Sequence, residues 1–182
     1  MPRYVALFRG INVGKAKRIA MADLRALLDK LGYADVATLL NSGNAVFTGN
    51  AEPAATHAAR IREAVLEKLG VDALVIVKSA KDIAAIITGN AIAKHASDDS
   101  RLLVAVTNDA RGLAKARGLM RESWGTEKLH VGKHAAYVWC ANGILESKVA
   151  VALLKGLEDT GTTRNWGTLN KIHALLGAAK TA

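Results

Sequence analysis

The strongest constraint on this chain is the order in which its hydrophobic periodicity changes. Short runs rich in apolar and β-branched residues take turns with segments whose apolar residues recur at helical spacing, and the order of the two restricts the fold. Tyr4–Ile11 reads as a first strand closed by Gly10, and a basic loop from Asn12 to Arg18 follows it. In MADLRALLDKLG, the residues Met21, Leu24, Leu27, Leu28 and Leu31 form one helical stripe, and Gly32 stands where a left-handed residue ends a helix. Val36–Leu40 and Asn44–Thr48 read as two short strands joined by a tight Ser42-Gly43 turn. Pro53 and Gly70 bracket a second helix, with Ala54, Ala58, Ile61, Val65 and Leu69 on its apolar side. Val71–Ser79 is a fourth strand. The order β-α-β-β-α-β is that of the ferredoxin-like split βαβ unit.

A short helix over Lys81–Thr88 leads to the polar stretch Ser97-Asp98-Asp99-Ser100, where a domain boundary is expected. The second half restarts with a strand at Arg101–Asn108, then a helix at Ala110–Glu122 and strands at Lys128–Val131 and Ala136–Ala141. Helices over Ser147–Leu157 and Thr168–Ala179 follow, separated by the irregular segment TGTTRNW, with Thr168 as the expected N-cap of the last. The expected class is therefore α+β, with two ferredoxin-like subdomains of the βαββαβ type, antiparallel sheets and an extra C-terminal helix. The expected division is 1–96 and 97–182. Such sheets often leave one face open, and that face can pair with a second subunit.

Composition narrows the function classes. With 25 Lys+Arg against 16 Asp+Glu, the net charge is +9, and 51% of the 182 residues are hydrophobic. This is the balance of a folded globular chain, not of a disordered one. No apolar run approaches the ~20 residues of a membrane helix. Arg9 interrupts any secretory core at the N-terminus, so no signal peptide is visible. The single cysteine, Cys140, fits a reducing cytoplasm and reads as a small buried hydrophobe. A cytoplasmic location is expected.

The loop RGINVGKAKR (Arg9–Arg18) lies between a strand and a helix, where backbone amides can cradle phosphate. Its glycines, Gly10 and Gly14, are one residue too close for a Walker A loop, and Ala16 stands where a magnesium-binding hydroxyl is required. A solvated basic loop is the plainer reading. The turn NSGN carries no nucleophile elbow. Asn44 and Val46 occupy places where an RNA-recognition strand needs aromatics, and the chain is 4% aromatic. On the helix Ala110–Glu122, Arg111, Lys115, Arg117 and Arg121 share the half opposite the apolar residues, a solvated face or a weak polyanion surface. His130 and His134 lack further ligands at metal-binding spacing, so no metal site is expected, and no cofactor motif appears. Arg164, Asn165 and Trp166 stand at the mouth of the last helix, as structural plugs or as donors to an anion.

Four stretches in order, ALFRGINVG, MADLRALLDKLGY, NSGNAVF and TTRNW, resemble the signature of the bacterial family of domains of unknown function 1697. NGILESK (Asn142–Lys148) resembles a further family stretch. The resemblance implies an α+β fold with ferredoxin-like elements and brings no activity with it. Lys15 stands where the family usually has a second glycine, and Ala20 where it commonly has proline.

The leading functional expectation is a binding module for an anionic ligand, a phosphorylated small molecule or nucleic acid. Its candidate residues are Arg9, Asn12, Gly14, Lys15, Lys17, Arg18, Ser42, Asn44, Lys148, Arg164, Asn165 and Trp166. A small enzyme acting on a phosphorylated or nucleotide-like substrate is a second reading, though no acid/base pair or partnered nucleophile is visible. A protein–protein or homo-oligomeric module is the third. No membrane partner is expected.

Overall fold

The computed structural model describes residues 1–178. The chain forms two compact units, one of residues 1–81 together with the chain from Ile172 onward, the other of Asp82–Lys171. The division thus falls ahead of the polar Ser97–Ser100 stretch.

The first unit runs β1 (Arg3–Phe8), α1 (Met21–Lys30), β2 (Ala34–Leu39), β3 (Asn44–Thr48), α2 (Ala54–Leu69) and β4 (Val75–Ser79). Its sheet has the order β2-β3-β1-β4, and every pairing is antiparallel. Alternate strand residues supply one face of the core: Tyr4, Ala6 and Phe8, with Ala45 and Phe47, and with Val75 and Val77. Leu24, Leu27 and Leu28 of α1 and Ile61, Ala64 and Val65 of α2 meet them at helical spacing. The end of α1 is a Schellman motif: the Tyr33 N–H donates to Leu28 O and the Gly32 N–H to Asp29 O, with Gly32 at φ +85°. The opposite sheet face is not open. Val5, Leu7, Val46 and Ile76 on it are buried as well.

One polar ring sits in this core. His57 is fully buried, with Nδ1 2.9 Å from the Tyr33 hydroxyl and Nε2 3.2 Å from the Asn50 carbonyl oxygen. A carbonyl only accepts, so Nε2 carries the hydrogen and Nδ1 accepts from Tyr33. Arg60 donates to the same hydroxyl and pairs with Glu52 at 2.8 Å. Burial raises the Tyr33 pKa, and the Arg60 contact opposes that rise.

The second unit repeats the order in full: β5 (Leu102–Thr107), α4 (Ala110–Gly118), β6 (Lys128–Val131), β7 (Ala136–Trp139), α5 (Lys148–Leu157) and β8 (Gly161–Asn165). Helices α3 (Ala80–Thr88) and α6 (Trp166–Gly177) lie outside the repeat. The sheet order β6-β7-β5-β8 is the same arrangement as in the first unit. The segment read as irregular is therefore the closing strand. Val104 pairs with Arg164 and Val106 with Thr162, so ladder hydrogen bonds make the strand although its side chains are polar. The hairpin turn of the first unit is also longer than expected, four residues over 40–43, with Leu40 at φ +59°. The expected end of the last helix, Ala179, lies outside the described residues. In the first unit, the Arg3 guanidinium donates to the carbonyls of Leu176 and Ala178, where a cation complements a helix C-terminus.

Tyr137 is fully buried in the second unit and donates to Ile86 O at 2.6 Å. Burial pushes its pKa up to about 12. The folded state therefore holds this proton where the unfolded chain has lost it. Stability contributed by Tyr137 is present below an ordinary tyrosine pKa and is lost as pH rises from about 10 through about 12. We expect Tyr137→Phe to flatten the fall in stability over that window, measured by urea unfolding at stepped alkaline pH. An unchanged slope would refute the assignment.

Candidate functional site

The site begins where β1 runs out. The Phe8 N–H donates to Gly43 O and the Arg9 N–H to Leu74 O, so the chain leaves the sheet held by the β2–β3 turn and by the lead into β4. Ile11 and Ile19 are buried, and everything from Val13 to Arg18 between them is exposed. Asn12 closes this loop from inside. Its Nδ2 donates to Ile19 O and to Asn41 O, both at 2.8 Å, while its Oδ1 accepts from the Ile19 N–H at 2.8 Å. The Asn12 N–H also donates to Lys17 O. Asn12 takes φ +56°, a region asparagine tolerates better than most residues. The result is a fixed stem of two isoleucines and an asparagine, with an exposed basic tip.

Lys15, Lys17 and Arg18 ride on that tip. None of the three side chains makes an ion pair or hydrogen bond with the described residues. A cleft of about 350 Å³ opens at the foot of the loop, lined by Asn12, Arg18, Ile19, Ala20 and Asn41. It adjoins the start of α1, whose N-cap Ala20 supplies no side-chain hydrogen bond. Ser42 is exposed in the neighbouring turn and accepts from Asn44 Nδ2. Asn44 is buried and also donates to Leu39 O at 2.7 Å, which holds the turn. Gly14 lies exposed at the tip and Arg9 half-buried at the stem.

The basic face of α4 behaves differently. Arg111 pairs with Asp109 at 2.8 Å, Lys115 pairs with Glu158 at 3.0 Å, and Arg117 donates to Gly132 O. These three cations are held by the unit that carries them, whereas Arg121, the fourth of the expected face, lies past the end of α4 in the turn Leu119–Arg121 and is exposed without a side-chain partner among the described residues.

The remaining candidates lie in the second unit. Lys148 is exposed at the start of α5, and its N–H donates to Glu127 Oε1. Arg164 is 7% exposed, and its Nη1 donates to Thr162 Oγ1 and Thr163 O. Burial lowers its pKa to about 10. Asn165 Oδ1 accepts from the Thr168 N–H, so Asn165 caps α6 in place of the expected Thr168. Trp166 is half-buried as the first residue of that helix. Within the first unit, then, the structure brings together Asn12, Arg18 and the tip lysines. It adds Asn41, Ile19 and Ala20, which sequence reasoning missed; Asn41 was signalled only by its place beside Ser42. His130 stacks on Tyr137 with ring centroids 6.0 Å apart. Among the described residues, no three His, Cys, Asp or Glu side chains gather as metal ligands.

An α+β chain of two ferredoxin-like units, with a pinned basic loop after its first strand, is the class that fold and site define. The family model described as "Protein of unknown function (DUF1697)" matches residues 1–137, and the chain belongs to that family. Among solved structures it is similar to "the structure of conserved bacterial protein SP0830 from Streptococcus pneumoniae". That chain is 25% identical, with 96% of this chain and 98% of that one covered at a TM-score of 0.76. No curated protein matches. Among the described residues, no helix is long and apolar enough to cross a membrane.

Proposed function

We propose that the protein is a binding module for an anionic ligand, a phosphorylated small molecule or a nucleic acid backbone, held at the loop Arg9–Arg18. One observation carries this reading. The cations of α4 are neutralised or hydrogen-bonded internally, whereas Lys15, Lys17 and Arg18 are exposed without a side-chain partner among the described residues, on a loop that Asn12 holds in one shape. Keeping like charges together without counter-charges is unfavourable in the free protein, and an anion relieves it. The cleft beside Arg18 is lined by no aromatic residue, so contact through phosphate rather than through stacked bases is favoured. The buried, unpaired Cys140 suits a reducing cytoplasm as the place of action.

Binding of inorganic phosphate and of single- and double-stranded oligonucleotides, followed by fluorescence anisotropy or calorimetry, tests this. The triple variant Lys15→Ala, Lys17→Ala, Arg18→Ala is expected to bind about tenfold more weakly or worse at low salt. For nucleic acid, it should also flatten the logarithmic salt dependence by roughly 3 units, about 0.9 for each phosphate no longer neutralised. Binding that ignores salt, or that survives the triple substitution, would sink the proposal.

A further inference from the structure

The second unit carries an exposed apolar feature that anion binding does not use. Leu145 is 94% exposed and Val151 is 62% exposed. With Glu146, Ser147, Lys148 and Ala152 they line a surface hollow of about 310 Å³ at the start of α5. Leu145 is not there through looseness. It sits in a 3₁₀ turn, Ile144–Glu146, directly followed by a fixed helix start. The Ser147 hydroxyl accepts from the Ala150 N–H and donates to Glu127, whose other carboxylate oxygen accepts from the Lys148 N–H. Ser147 is buried, so the turn that displays Leu145 is anchored from beneath. An apolar side chain held rigidly in water beside a hollow is pre-organised to contact something.

The chemistry of the hollow selects the occupant. Its volume lies at the bottom of the range for small-molecule sites, and its rim carries one acid and one base, Glu146 and Lys148, on either side of buried Ser147. A polyanion or an acidic surface meets Glu146 unfavourably, and a basic one meets Lys148. A surface with the same two charges and the same apolar plug fits both. The partner with that surface is a second copy of this chain. Copies carrying +9 repel each other over most of their area, so a locally neutral, apolar patch is where two can approach.

We propose that two copies pair about a two-fold axis at this patch. Leu145 of each fills the hollow of the other, and Glu146 of each faces Lys148 of the other. A two-fold interface is isologous, so every contact occurs twice. Leu145 stands at the centre of such an interface, so a charge placed there would be buried without a partner on both sides.

Sedimentation of the full-length protein over a range of concentrations tests this. The mass should rise from 19.2 kDa toward twice that value. Leu145→Asp should weaken the dimer about 30-fold or more, since it buries an unpaired charge. Because Leu145 contacts so little in the monomer, its melting temperature should not move at concentrations where the unsubstituted protein is also monomeric. Glu146→Lys alone and Lys148→Glu alone should each weaken pairing, while the two together restore it, since the charges exchange places across the axis. A mass that stays monomeric at every concentration overturns the proposal. So does a dimer that survives Leu145→Asp, or a double charge reversal that fails to restore what either single reversal removed while melting remains unchanged.

Discussion

Gly43→Ala should destabilise the protein by about 3 kcal/mol and lower its melting midpoint by roughly 6–12 °C. Two causes add. Gly43 takes φ +85°, which L-residues reach at a cost of roughly 1–2 kcal/mol. A Cβ there would also stand 2.5 Å from Ile11 Cδ1 and 2.8 Å from Phe8 Cβ. The end of Ile11 can swing, but Phe8 Cβ is fixed by the β1 backbone, so the turn itself must shift. Overpacking of this kind costs roughly 1–3 kcal/mol. The contrast is Gly14, at φ +62° with nothing within 4 Å of its added Cβ. Gly14→Ala should cost only the conformational part, about 1 kcal/mol. Urea unfolding of both variants separates the two causes; equal losses would show that the packing of Ile11 against the turn is unimportant. Because that packing buries one stem residue of the basic loop, Gly43→Ala should also weaken anion binding, whereas both residues of the exposed tip that flank Gly14 keep their place.

The same contrast explains what could be read from the sequence. The elements of the first unit are legible in two ways: strands as short apolar runs such as Tyr4–Phe8, which is buried on both faces, and helix α1 because Leu24, Leu27 and Leu28 fall on one helical side. β8 was not legible. Its Thr162, Thr163, Arg164 and Asn165 carry no apolar alternation, and only the pairing with β5, more than fifty residues earlier in the chain, makes them a strand. Leu40 and Gly43 turn the β2–β3 hairpin in four residues, and nothing about a leucine announces a positive φ.

The candidate loop is legible as a concentration of charge, and the bonds that hold it are not. The basic run from Lys15 to Arg18 marks itself by charge. That it is distinct from the equally basic α4 does not, because the neutralising partner of Lys115 is Glu158, 43 residues away. Thr168 is the cap that the sequence suggests, and a hydrogen bond that composition does not record gives the place to Asn165. Asn12 and Asn44 stood among the ligand candidates by position, yet their amides face the protein. Periodicity records which side of an element is buried; it does not record where a side-chain amide points.

Asn12 therefore offers the sharpest separation of shape from charge. Asn12→Ala removes two donated hydrogen bonds and one accepted. At about 1 kcal/mol each, and with partial access of water, the loss should be about 2–3 kcal/mol. No charge changes, and Lys15, Lys17 and Arg18 all remain. If the loop binds anions because its cations are held together, affinity should nonetheless fall, and combining Asn12→Ala with the triple cation substitution should be less than additive. Asn12→Asp is the more severe test. Its carboxylate keeps the bond from the Ile19 N–H but sets an oxygen against the carbonyls of Ile19 and Asn41, which cannot donate. Folding then favours the protonated acid, which can donate to one of them, so the folded pKa of this carboxyl lies above its unfolded value. The folded state binds the extra proton, and stability falls as pH rises through that interval. Asn12→Asp should accordingly be close to Asn12→Ala in mildly acid solution and less stable than it at neutral pH. Stability of Asn12→Asp that is independent of pH, or anion affinity that survives Asn12→Ala unchanged, would show that the loop needs no internal clamp.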